Sequence, residues 1–265
     1  MSACEAWSDA ATWTDGGLRR EVFRFVSGGE ELFGSLYASA RPSRQVGLVV
    51  CSSWGIEANR TYGLVQRLVD RAADLGGAGL VFHYPGYGDS TGEAGSVTMH
   101  ALATAAVDAT AEASRRQPGL AWAVAGVRLG AAVAALARQA AGVRRLLLVQ
   151  PALDPESYFA EVLAKRRRAT LGRDGASRFA FGYPVPEAIL RRGPSIASSV
   201  SAQLRGFAGD CAIAVHHRAP ALEGPELERF DRVAVPGRWR FGLRDYPELA
   251  QGGLEAVDRL LGAAP

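Results

Sequence analysis

Several things are scarce in this 265-residue chain, and each scarcity closes off a class of function. Its four histidines stand at positions 83, 100, 216 and 217, so none occurs beyond His217. The three cysteines (Cys4, Cys51 and Cys211) are far apart and odd in number, without a CxxC or Cys/His ligand spacing. Neither a disulfide framework nor a zinc site is expected, and the thiols read as reduced, as in a cytoplasmic protein. No apolar run reaches membrane-spanning length. The first residues carry Glu5 and Asp9 with no apolar core, so no signal peptide and no membrane partner are expected. A net charge of +3 is too small to point to nucleic acid. A single lysine, Lys165, opens the basic run Lys165–Arg168, which has no interleaved aromatics. It reads either as a solvated helix face or as a contact for an acidic ligand or carrier protein.

What is present is a pattern of buried strands and amphipathic helices. Segments 18–27 and 31–39 alternate around Gly28-Gly29, which predicts an antiparallel hairpin. The run VGLVVC (46–51) is apolar throughout, as a strand covered on both faces should be. Helical periodicity follows at 61–76, then strand 79–84, helix 99–116, strand 121–126, a helix from about 128 to 141, and strand 144–150. Such alternation implies an α/β fold with a mostly parallel sheet and helices on both faces. Residues 1–17 read as a loose arm. The expected division is one domain: a first part of the sheet at 18–151, a helical cap at 152–206, and the rest of the sheet at 207–262. The strands of that last part are expected at 210–217 and 232–237, with a closing helix at 246–262.

Two turns carry the chemical interest. One is HYPGYGDSTGE (83–93), after the strand at 79–84; the other is GVRLGA (126–131), between a strand and an alanine-rich helix. Together with the strand order they resemble the α/β-hydrolase fold, an eight-stranded mostly parallel sheet with a helical cap, over nearly the whole chain from residue 20. The second turn then corresponds to the nucleophile elbow, Gly-x-Ser-x-Gly. Adding SSWGIEANRT (52–61), VQPALDPESYFAEVLAKRRRA (149–169) and FGYPVPEAI (181–189), the chain is similar to the hydrolase 2 group associated with the exosortase A system. That resemblance implies a hydrolase by fold, with arginine at the elbow, in a bacterial exopolysaccharide or specialised-metabolite setting.

Arg128 stands where the serine would be, and it stays protonated and cannot attack a carbonyl. The stretch after the last strand, GRWRFGL, offers no histidine, and Glu223 is the nearest carboxylate after the strand at 210–217. A Ser-His-Asp mechanism is excluded. Cys51 reads as a core residue, and at most one of His216 and His217 can face a site from a strand end.

A guanidinium at a helix N-terminus needs an anion. Glu57 offers an internal bidentate pair; a substrate carboxylate, phosphate or enolate is the alternative. Asn59 or Thr61 also fits a plain role as helix cap. Two readings therefore stand. In the first, an atypical enzyme acts on an acyl or carboxylate substrate, such as a thioester of coenzyme A or an acyl carrier protein. Its catalytic residues are Arg128 (anion binder), Glu57 and His83 (proton transfer), and no cofactor is implied. Ser53, Trp54, Asn59, Val127, Leu129, Phe181, Tyr183 and Trp239 would contact the substrate. In the second, the fold is a pseudohydrolase that binds a ligand or partner without turnover. A conventional esterase is the weakest reading and predicts labelling by a fluorophosphonate probe.

Overall fold

The computed structural model describes residues 10–15, 17–164, 169–171, 178–191, 193–217, 227–236 and 247–262. In chain order, β1 (Ala10–Asp15), β2 (Leu18–Ser27), β3 (Glu30–Ser39) and β4 (Val46–Cys51) lead into α1 (Ile56–Asp74) and β5 (Ala78–Phe82). Then come α2 (Met99–Arg116), β6 (Ala121–Val127), α3 (Gly130–Ala137) and β7 (Arg145–Val149). Among the described residues the main sheet has nine strands in the order β1-β2-β3-β5-β4-β6-β7-β11-β12, where β11 is Cys211–His217 and β12 is Asp231–Val235. The strands from β5 to β12 run parallel, and β1, β2 and β3 form an antiparallel edge. Helix α7 (Pro247–Gly262) closes the fold.

The expected hairpin forms with Ser27 opposite Glu30. Its two loop residues, Gly28 and Gly29, have φ of 58° and 89°, the doubly left-handed turn whose twist matches the strands it joins. The expectation of a loose arm over 1–17 is corrected in part: residues 10–15 pair with Leu18–Phe23 as a ninth strand. Short polar strands at an edge carry too little periodicity to stand out in the sequence.

The apolar run of β4 is explained by cover on both faces. Val49 and Cys51 join a core with α2 and α3, while Leu48 and Val50 join one with α1 and α7. Helix α1 begins at Ile56, one and a half turns before the expected start. Neither Asn59 nor Thr61 caps it: Gly55 is the N-cap, and Thr61 Oγ1 donates back to the Glu57 carbonyl at 2.7 Å. Helix α3 starts two residues later than expected because Arg128 is left-handed, at φ 55°, and cannot be helical; it ends at Ala137.

Between β7 and β11 the chain leaves the sheet. It contains α4 (Pro155–Ala164), then β8 (Ala169–Leu171), β9 (Arg178–Ala180) and β10 (Tyr183–Pro184) as a small antiparallel sheet, then α5 (Glu187–Arg191) and α6 (Gly193–Arg205). The insertion is thus mixed rather than helical. Helix α6 packs on α3 and α4.

Gly63 lies exposed within α1, at ordinary φ, and a Cβ there would meet nothing within 4 Å. Gly63→Ala is expected to stabilise the fold by roughly 0.5–1 kcal/mol, through the lower entropy of the unfolded chain. Urea denaturation measures it; an unchanged midpoint would contradict the assigned helix.

Candidate functional site

Strand β6 ends at Val127, Arg128 makes the turn, and α3 begins at Gly130. The Arg128 N–H donates to Val149 O at 3.0 Å, and its own carbonyl accepts from Ala152 N–H at 3.1 Å. Gln150, at the end of β7, is also left-handed, with φ 45°. Two non-glycine residues held in this sparsely populated region, side by side at the carboxyl ends of parallel strands, mark a place where strain of about 1–3 kcal/mol each is tolerated.

The Arg128 side chain is only 7% exposed, and it faces Glu57, which is 2% exposed. One donor, Nε, straddles both carboxylate oxygens at 3.4 and 3.3 Å. The expected two-pronged fork therefore does not form. Nη1 instead donates to Gln150 O at 3.3 Å, and Nη2 lies 3.6 Å from Glu161 Oε2 on α4, a carboxylate 44% exposed. Tyr158, one helical turn from Glu161 on the same face of α4, places its ring 5.7 Å from the guanidinium carbon. Ser53 Oγ donates to Glu57 Oε2 at 3.1 Å and meets Tyr158 Oη at 3.2 Å. Burial pushes the Glu57 carboxyl above the ordinary range, opposed by the Arg128 charge and by hydrogen bonds from Tyr158, Arg128 and Ser53. The result is a largely buried polar cluster beneath α4, with Glu161 at its exposed side.

His83 lies elsewhere. It lines a cavity of about 560 Å³ with Trp54, Asn59, Tyr87 and Tyr183, and neither Arg128 nor Glu57 borders that space. The segment Ser52–Trp54 divides the two regions: Ser53 turns to Glu57, while Ser52 and Trp54 line the cavity. His83 Nδ1 accepts the Asp89 N–H at 3.0 Å, and burial lowers its pKa, with the Asp89 charge opposing. The Asp89 carboxylate oxygen 3.5 Å from Nδ1 is not an ion-pair partner while that nitrogen accepts. The neutral ring then carries its proton on Nε2.

The remaining expectations divide. Val127 and Leu129 are each 1% exposed and packed in the cores on opposite faces of the sheet, because strand alternation and the turn direct both away from either space. As residues expected to contact substrate they are corrected. Phe181, left-handed at φ 57°, packs against the core, with the Arg60 guanidinium carbon 5.8 Å from its ring centroid. Trp239 and the run Lys165–Arg168 lie outside the described residues. His216 and His217 are both buried; His217 is tied to Gln150 Oε1 through its backbone N–H at 2.9 Å and its Nδ1 at 3.1 Å. Burial pushes the Cys51 thiol up to about 12, so it holds no reactive thiolate.

Residue-by-residue reading missed Tyr158, Glu161 and Gln150. The signals were Gln150-Pro151, where the strand pattern breaks, and the three-residue spacing of Tyr158 and Glu161 on α4.

Among solved structures, the chain is similar to Est1E from Butyrivibrio proteoclasticus, determined with ferulic acid bound, at TM-score 0.67 and 16% identity, covering 89% of this chain and 96% of that one. It is similar to an α/β serine hydrolase without a lid from Xanthomonas campestris at TM-score 0.58 and 15% identity, covering 98% and 99%. An α/β serine hydrolase homologue from Coxiella burnetii matches at TM-score 0.58 and 13% identity, covering 92% and 97%. The fold is that of the α/β hydrolases. No protein-family model matches the sequence. No curated protein matches it either. No helix among the described residues is long and apolar enough to cross a membrane.

Proposed function

We propose that this chain is a pseudohydrolase: a protein of hydrolase fold that binds a small organic ligand without serine-type hydrolysis. One observation carries the reading. The strand-to-helix turn that presents a nucleophile in this fold is filled by Arg128, whose charge already faces Glu57 and Glu161 beneath Tyr158. A protonated guanidinium supplies no nucleophile, and no histidine follows His217 to act as the base. The large cavity is adjacent but separate, so ligand recognition does not require opening the ion pair.

A second reading is favoured by Glu161. It is the only exposed member of the described cluster, and its contact with Arg128 is long. A ligand carboxylate can replace it, placing the acyl group of a carboxylate or thioester beside Glu57. Under that reading an acyl carrier protein in the cytoplasm is a fitting partner.

The test is turnover. The intact chain is incubated with a panel of p-nitrophenyl esters and acyl thioesters, beside an Arg128→Lys variant verified as folded, and with a fluorophosphonate probe. The binding reading expects no rate above buffer and no labelling. Turnover lost in the variant would replace it with the acyl-processing reading, and labelling of Ser52, Ser53 or Ser90 would overturn both.

A further inference from the structure

We infer that the groove between β3 and α1 is a binding site for a small aryl carboxylate, an inference that deepens the binding reading by naming its ligand class. The groove holds about 560 Å³, within the range of about 300–1,000 Å³ usual for small-molecule sites. Its walls are aromatic faces. Trp54 and Tyr87 lie 6.0 Å apart between centroids, and Tyr87 and Tyr183 lie 6.1 Å apart with planes 31° from parallel. Tyr62, at the rim, is 53% exposed, unusual for a ring of that size. These rings pack on one another and present a continuous flat apolar surface to the groove, which suits a planar ring better than a flexible chain.

The polar groups narrow the choice. Asn59 fixes two of the rings: its Nδ2 donates to Tyr183 Oη, and its Oδ1 accepts from Tyr87 Oη at 2.7 Å. Tyr183 Oη thus accepts one hydrogen bond and still has its own hydrogen to donate. Among the described residues that hydrogen has no acceptor. His83 adds a second donor, Nε2–H, because the Asp89 N–H occupies Nδ1. The turn holds this ring closely: a Cβ on Gly88 would stand 2.3 Å from His83 Nδ1. Arg20, whose Nε donates to Ser35 Oγ at 3.2 Å, brings positive charge to the β3 wall. Aromatic faces and two donors are complementary to an aromatic ring bearing a carboxylate acceptor, whose charge Arg20 favours and Asp89, which also lines the groove, opposes.

Calorimetric titration of the full chain with 2-naphthoate, and with decanoate as an aliphatic carboxylate, tests this. One 2-naphthoate site per chain is expected, roughly tenfold or more tighter than decanoate. His83→Phe keeps the ring packing but removes Nε2–H, and should weaken 2-naphthoate binding by roughly tenfold. Ala58→Leu extends a side chain from α1 into the groove and should abolish it; thermal melts establish that both variants are folded. No binding at millimolar 2-naphthoate, equal affinity for decanoate, or unchanged binding in both variants would overturn the site. Ester turnover with groove binding intact would instead refute the non-hydrolytic reading and leave the site standing.

Discussion

Replacing Arg128 with alanine is expected to cost about 3–5 kcal/mol, because it leaves the carboxylate of Glu57, 2% exposed, without its counter-charge. In a chain of this size that corresponds to a fall in Tm of roughly 6–20 °C. The cost belongs to the abandoned charge more than to the lost contact. A second substitution, Glu57→Gln, in the Arg128→Ala background should therefore return part of it, giving a coupling energy of the kind found for buried partners. A double-mutant cycle in urea measures the coupling; additive losses would show that Arg128 and Glu57 do not act as a pair.

The same variant has a signed pH dependence. Burial already raises the folded carboxyl of Glu57, and Arg128 supplies the largest opposing influence. Without Arg128 the folded value rises further above the unfolded one. Between the two values the folded state binds more protons than the unfolded state, so stability grows as pH falls and is lost as pH rises through the folded value. The gap between wild type and Arg128→Ala should hence narrow in mild acid and widen toward alkaline pH. A gap that stays constant would mean that Glu57 is not the group left uncompensated.

Most of the architecture was legible because it rests on periodicity. The apolar run of β4 and the 99–116 helix follow directly from which faces are covered, and α2 spans those residues. Boundaries failed where tertiary contacts decide them: α1 starts at a glycine with no side-chain cap, and α3 starts late because the Arg128 backbone is left-handed. The pairing of Arg128 with Glu57 could be anticipated, since both follow the carboxyl ends of adjacent parallel strands, Arg128 at the turn after β6 and Glu57 in the first turn of α1 after β4. The separation of His83 from them could not. It depends on which way Ser52, Ser53 and Trp54 turn at the end of β4, and the spacing of Tyr158 and Glu161 puts them on one face of α4 without revealing what that face docks against.

The second large effect is expected at Gly130, and it concerns why glycines flank Arg128 at this turn. A Cβ on Gly130 would lie 2.0 Å from the Cys51 carbonyl oxygen and 2.5 Å from that of Ser52. A Cβ on Gly126 would lie 2.4 Å from the Ala131 Cα. These obstacles are backbone, so no rotamer change relieves them, and α3 must move away from the end of β4. Gly130→Ala is expected to cost about 3 kcal/mol or more, at the upper end of overpacking effects. Gly142→Ala, where nothing lies within 4 Å but φ is 66°, should cost only the smaller strain of a left-handed residue, about 1 kcal/mol. Thermal melts of the two variants compare packing with backbone strain directly, and equal losses would refute the close approach. If Gly130→Ala proves the worse, the two glycines flanking Arg128 are required by the fit of the helix against the strand. The Gly-x-x-x-Gly frame then reports the fold, and the residue between its glycines alone decides whether a nucleophile is present.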